Sequence, residues 1–328
     1  MATKDTNKHN FLGAIAGLGV IAILIIAGVY FLDIFPSDTS DETAPTPTEY
    51  KEQTRVSLVL DRLPLSSDNY YEIWIQPNGI NDTDKISVGT FRVTEDGLYS
   101  LDGEPIINNE FLIQEDLGDV DGMMYVTVHA NDASETDSDS PVIMEGQLQQ
   151  GIGAIEFFQS DLENVSGEFI LATPSDGPNT NETSGVWFVT VTDTGEVAGL
   201  TIPMAPEGWI YEAWVKSGTQ LLSIGQFRSD DEADTFSGYT PEATVPAFPG
   251  EDFLINPPLD VEFPLELAQS NTEVLVTLEP EFKSVGDPTF GITLLNASLS
   301  ETSPAGEAIQ LVTVAKDNMP SGLVIIRR

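Results

Sequence analysis

The chain has 328 residues, 41% of them apolar, no cysteine, and 53 acidic against 13 basic side chains for a formal net charge of −40. Without cysteine there are no disulfides, no thiolate-ligated zinc and no cysteine nucleophile. No Lys or Arg occurs between Arg92 and Lys216, which argues against nucleic acid as a partner, because neutralising phosphates needs a basic patch; such acidity suits a solvated surface in cation-rich surroundings.

Residues 1–10 read as a short cytoplasmic terminus, too small for a domain. Phe11 to Leu32 is a run of 22 residues without a charged side chain, long enough as a helix to cross a bilayer core of about 30 Å. Lys4 and Lys8 precede it and Asp33, Asp38, Asp41 and Glu42 follow, so the positive-inside rule predicts a cytoplasmic N-terminus and an extracytoplasmic remainder. The run ends in bulky Val29-Tyr30-Phe31-Leu32 and not in a small-residue cleavage site, so residues 11–32 are expected to stay as a transmembrane helix, with the lipid bilayer as first partner. Residues 33–53, rich in Pro, Ser, Thr, Asp and Glu, read as an extended stalk.

From residue 54 on, short β-branched and aromatic runs alternate with Gly, Pro, Asn and Asp, as in Arg55-Val-Ser-Leu-Val-Leu60 and Tyr70-Tyr-Glu-Ile-Trp-Ile75. That pattern predicts strands and an all-β fold. An internal repeat divides this part. Tyr71-Glu-Ile-Trp-Ile75 recurs as Tyr211-Glu-Ala-Trp-Val215, Ser87-Val-Gly-Thr-Phe-Arg92 as Ser223-Ile-Gly-Gln-Phe-Arg228, and Tyr125-Val-Thr-Val128 as Leu275-Val-Thr-Leu278. Two tandem domains, 54–160 and 161–328, are expected, each an antiparallel β-sandwich or barrel-like sheet.

In the repeated strand Glu72 and Trp74 share one face, and Glu212 and Trp214 do so in the second copy, opposite Tyr71/Ile73/Ile75 and Tyr211/Ala213/Val215. These four residues are the candidate binding surface, with core packing as the plainer reading of each Trp. Gly89 and Gly225 are expected at bulges or close backbone approaches, and Glu279-Pro280 at a strand end.

The blocks resemble the extracytoplasmic domain of RskA-type anti-sigma-K factors, most closely in Tyr211-Glu-Ala-Trp214, Gly225-Gln-Phe227, Val276-Thr-Leu-Glu-Pro280 and Gly286-Asp-Pro-Thr289. The first copy departs from the pattern, with His129-Ala130 at the Glu-Pro step and Asp139-Ser-Pro-Val142 at the later segment. The resemblance implies a β domain carried on one membrane helix, and in that family a cytoplasmic domain that holds a sigma factor, for which ten residues leave no room.

Catalytic signals are sparse. His129 lies in a strand and nothing beside it in sequence marks a nucleophile, so no catalytic residue, no cofactor and no enzyme activity are expected. Glu115, Asp116, Asp119 and Asp121 precede Gly122 like the later part of a calcium loop, but Leu117 and Val128 stand at its first and twelfth positions. Neither Asp230/Asp231/Glu232/Asp234 nor Asp132/Glu135/Asp137/Asp139 has ligand spacing, so no metal site is assigned. Asn81, Asn164, Asn181 and Asn296 begin N-glycosylation sequons. The expected function is non-enzymatic binding or sensing at the cell surface, toward an envelope protein or extracellular ligand, with a link to sigma-factor regulation through a partner. The alternative is a structural envelope or filament subunit that self-associates through its β domains.

Overall fold

A computed structural model describes residues 53–81, 84–131 and 140–328. The expected cytoplasmic terminus, the membrane helix and nearly all of the stalk lie outside these residues; among the described residues no helix is long and apolar enough to cross a membrane. The chain from Lys51 to Arg328 is one compact, all-β unit.

The first half supplies β1 (Thr54–Asp61), β2 (Asn69–Pro77), β3 (Ile86–Thr94), β4 (Gly97–Tyr99), β5 (Glu110–Ile113), β6 (Gly122–Ala130), β7 (Val142–Leu148) and β8 (Ile152–Phe157). In β1, Val56 and Leu58 turn inward while Arg55 and Val59 face solvent, the period-2 alternation of a strand covered on one side. β2 is buried on both faces over its first seven residues, Asn69 and Glu72 included. The antiparallel sheet curls until β5 meets β3: the rings of Phe91 and Phe111 lie 6.0 Å apart, and a Cβ on Gly89 would stand 2.7 Å from the Phe111 ring.

The second half supplies β9 (Ser166–Leu171), β10 (Val186–Trp187), β11 (Val189–Thr192), β12 (Gly195–Ala198), β13 (Leu200–Thr201), β14 (Trp209–Ser217), β15 (Gln220–Phe227), β16 (Gly250–Glu251), β17 (Thr272–Pro280), β18 (Ile292–Ser298), β19 (Ile309–Gln310) and β20 (Val312–Thr313). One sheet runs β15-β14-β17-β18-β20, a second β13-β9-β10-β16 with β19 also on β9, and β11 and β12 form a hairpin. As the sequence implies, β17 ends at Pro280, whose missing N–H cannot extend the ladder.

The last strand, β21 (Ser321–Arg327), leaves the second half and enters the first sheet, giving the order β4-β3-β2-β6-β7-β8-β21-β1-β5. It pairs with β1 over seven positions, from Arg55↔Arg327 to Asp61↔Ser321, and with β8 over five. The boundary expected at 160/161 falls between β8 and β9, but the chain crosses it again at β21, and one continuous apolar core includes residues of both halves. Trp209 bridges them: its Nε1 donates to the Val142 carbonyl at 3.1 Å, and its ring lies 5.8 Å from that of Phe158 and 6.1 Å from that of Phe290.

Candidate functional site

The two copies of the Tyr-Glu-x-Trp strand carry the same pair of bulges. Opposite Ile73/Trp74 the register of β3 slips by one residue, leaving Val88 extra; opposite Ala213/Trp214 that of β15 slips in the same way and Ile224 is extra. A second slip, at Val126/Thr127 and at Val276/Thr277, makes Ile143 and Leu294 the extra residues on β7 and β18. The glycines at the first bulge have φ of 153° (Gly89) and 140° (Gly225), a region that L side chains avoid. What presses on them differs: the Phe111 ring in the first half, and in the second the Asp234 carboxylate, whose Oδ1 would be 2.0 Å from an added Cβ.

The bulges aim matched side chains at one another. Tyr71 donates its hydroxyl to the Pro64 carbonyl at 2.7 Å and Tyr211 to that of Pro203 at 2.9 Å. Trp74 Nε1 donates to Thr127 Oγ1 and Trp214 Nε1 to Thr277 Oγ1, both at 3.0 Å. Ser87 Oγ donates to Glu72 Oε1 at 2.5 Å and Ser223 Oγ to Glu212 Oε1 at 2.6 Å. Trp74 and Trp214 are 7% and 1% exposed, and Glu72 and Glu212 1% and 0%. The four candidate surface residues are therefore brought together in pairs, on the strand face their alternation implies, but that face is covered and presents no open platform.

The copies diverge two residues beyond the threonine. In the first, His129 Nε2 is 2.7 Å from Thr127 Oγ1 and 3.7 Å from Glu72 Oε2; Nδ1 is 3.0 Å from Ser140 Oγ, and Tyr70 stacks on the ring at 4.8 Å. Ser140, His129 and Glu72 thus follow the order of a hydrolase triad, yet 3.7 Å exceeds hydrogen-bond reach and Thr127 stands where the carboxylate would orient the imidazole. Glu72 is raised above the ordinary carboxylate range by burial, with Ser87 pulling the other way.

In the second copy the equivalent of His129 is Glu279, 1% exposed, with Oε1 2.6 Å from Thr277 Oγ1. Thr277 has one hydroxyl proton and two lone pairs. It lies within hydrogen-bond reach of the Glu212 carbonyl, at 3.2 Å, and of Glu279 Oε1, and accepts from Trp214, while Glu279 Oε2 is buried without a hydrogen-bond partner. Burial raises Glu279 well above the ordinary range, and the nearby Glu212 adds to the shift. Glu212 is also raised by burial, although Ser223, the Gly286 N–H at 2.7 Å and Gln226 Nε2 at 3.0 Å all donate to it. Lys283, 7% exposed, places its ammonium in this layer and pairs with Asp287 at 2.6 Å. Burial alone would raise Asp287; hydrogen bonds from Lys283 and Thr289 outweigh it and hold it below the ordinary range. Gly286-Asp-Pro-Thr289 thus folds over Glu212 as a cover.

A third acidic layer lies behind Gly225. Asp234 accepts the N–H groups of Gly250 at 2.9 Å and Phe236 at 2.8 Å, and Glu251 accepts that of Tyr239 at 2.5 Å. Asp252 accepts Trp187 Nε1 at 2.6 Å and the Ser175 N–H at 2.8 Å. Burial pushes Asp234 up to about 7, Glu251 up to about 8, and Asp252 upward. Phe236, Phe253 and Phe263 surround Tyr239 with ring centres 5.1 to 5.6 Å away, which supplies the low dielectric behind these shifts.

The remaining acidic runs are drawn into local contacts. Asp116 pairs with Arg328 at 2.8 Å, Asp121 accepts the Gln150 N–H, and Glu232 accepts those of Arg228 and Ser229. Asp132, Glu135, Asp137 and Asp139 lie outside the described residues. Among the described residues no three His, Cys, Asp or Glu side chains gather in a way that could hold a metal ion. Asn81, Asn164 and Asn181 are exposed, and Asn296 is half-buried in β18. The surface has shallow depressions of about 350 Å³, one bordered by Asn78, Asp121 and Gln147, another by Gln220, Asp260 and Glu266. Sequence reasoning missed Thr127, Thr277, Ser87 and Ser223 as partners, although each lies inside a repeated block, and it missed Lys283, Glu251 and Asp252, which no repeat marks.

No family model matches the chain, and neither the curated proteins nor the solved structures include one similar to it.

Proposed function

We propose that this is a non-enzymatic, single-pass membrane-anchored protein of the cell surface. Its two RskA-like halves, joined in one β unit, follow one transmembrane helix and bind or sense an envelope protein or an extracellular ligand, with a link to sigma-factor regulation through a separate partner. The observation that supports this most is where the resemblance motif goes: in both halves its Tyr, Glu and Trp are internal struts with matched hydrogen bonds, the behaviour of a display scaffold whose specificity lies on surface loops. The alternative of a filament built by strand pairing is weakened by the edges of the first sheet, since β4 and β5 have three and four residues and offer few free backbone groups. Protease added to intact cells tests the anchored reading. An N-terminal tag should survive while the chain beyond Thr43 is cleaved; a tag and a β unit that are both protected would overturn it.

A further inference from the structure

Asn-Gly occurs once in the chain, at Asn78-Gly79, just beyond the end of β2. The N–H of Ile80 donates to the Pro77 carbonyl at 3.2 Å and that of Asn78 to the Asp121 carbonyl at 2.9 Å, which closes a β-turn with Asn78 and Gly79 as its central residues. Gly79 has φ of 86°, the positive value that the second central residue of a type II turn requires. Its own N–H belongs to neither hydrogen bond. Both residues are exposed, and among the described residues no heavy atom beyond the chain neighbours lies within 4 Å of where a Cβ on Gly79 would stand.

Without a Cβ, a glycine can swing its backbone nitrogen toward the preceding side chain at little steric cost. We propose that Asn78 is a site of spontaneous covalent modification by water, converting to aspartate and isoaspartate. The Gly79 nitrogen, its proton taken by water or hydroxide, attacks Asn78 Cγ; the N–Cγ bond forms, the Cγ–Nδ2 bond breaks and Nδ2 leaves as ammonia. The resulting cyclic imide takes up water. Opening at Cγ leaves aspartate, and opening at the main-chain carbonyl leaves isoaspartate, whose backbone runs through the former side chain. The net change is Asn plus water to Asp plus ammonia. Other asparagines lack one of these conditions: Asn256 precedes a proline, which has no N–H to lose, Asn69 is 2% exposed, Asn296 is paired on both sides in β18, and Asn164 precedes the β-branched, buried Val165. Either product adds a carboxylate on the rim of the depression that Asn78 shares with Asp121 and Gln147. An amide that donates and accepts becomes a group that only accepts.

The test is a time course on full-length protein in mild detergent at mildly alkaline pH, read by mass spectrometry after a brief tryptic digest. The peptide Leu63–Lys85 contains Asn69, Asn78 and Asn81, so two asparagines serve as internal controls. Conversion at Asn78, seen as two isomeric daughter peptides heavier by the exchange of NH for O, should exceed that at either control by at least roughly tenfold, because only Asn78 precedes glycine. The rate should rise with pH, since the Gly79 nitrogen must lose its proton. Asn78→Gln, whose longer side chain closes its ring far more slowly, should remove both daughters. Conversion at Asn78 no faster than at Asn81, or aspartate formed without isoaspartate, would overturn the proposal. So would an unchanged Asn78 in the folded chain under conditions in which a synthetic peptide Gln76–Asn81 converts, which would mean that the turn withholds the Gly79 nitrogen.

Discussion

The neighbourhoods of Trp74 and Trp214 share a backbone with two bulges and matched hydrogen bonds from Tyr, Trp and Ser, yet they differ in the side chain buried beside the threonine. The first half places an imidazole, His129, against Thr127 and within 3.7 Å of Glu72. At the same position the second places another acid, Glu279, whose pKa burial raises well above the ordinary range while Lys283 pulls it back. The bulged strand pair is therefore a frame that fixes where a polar group sits: burial raises Glu72 in the first copy and Glu212 in the second, and the residue beyond the threonine adds a histidine to one and a second carboxyl to the other. Burial without a full complement of cations drives Glu212, Glu279, Asp234, Glu251 and Asp252 upward in the second half, where an isolated carboxylate would be costly to ionise.

The largest effect that bears on this comparison concerns whether the halves are separable at all. Deleting Ser321–Arg328 removes β21 from between β1 and β8 and opens the core at Val324 and Ile326. The first half should then lose cooperative unfolding by near-UV circular dichroism while the second retains it. An intact first transition would mean that the halves fold as independent tandem domains.

Next in size is the strut itself. Trp74→Ala and Trp214→Ala should each cost about 3 to 5 kcal/mol in denaturant unfolding, since each leaves a large cavity and removes a buried hydrogen bond. The comparison breaks if one of the two costs less than about 0.5 kcal/mol, the mark of a surface position.

A smaller, signed effect follows from pH. Carboxyls whose folded pKa is raised contribute stability that is fully present below the unfolded range near 4 and is lost as pH rises through the folded values, about 7 for Asp234 and about 8 for Glu251. Asp287 acts in the opposite sense, as one group. The melting temperature should therefore fall between pH 5 and pH 9. Glu279→Gln, which keeps an oxygen for Thr277 but cannot ionise, should flatten the decline; a variant that melts with the wild-type pH dependence would remove Glu279 from the account.

Much of the frame was legible in the sequence. The recurrence of Tyr-x-x-Trp and of Ser-x-Gly fixed the equivalence of the strands, Gly89 and Gly225 do lie at bulges, and alternation separated Trp74 and Glu72 from Tyr71 and Ile73. Alternation alone could not tell whether the Glu/Trp face is open, because its cover comes from residues 281–289, remote in sequence from Glu212. The crossing of β21 was illegible for a similar reason: Ser-Gly-Leu-Val-Ile-Ile-Arg reads as a strand, but which sheet accepts it depends on a partner more than 250 residues away. Glu251 and Asp252 were lost among 53 acids, since charge at a position says nothing of its burial.

The central claim, that burial raises the Glu279 carboxyl well above the ordinary range where the first copy holds a histidine, is tested most directly by carboxyl ¹³C NMR of Glu-labelled protein, with Glu279 assigned by the signal missing in Glu279→Gln. The account predicts a Glu279 resonance that titrates above the exposed glutamates; a resonance that titrates together with them would contradict it.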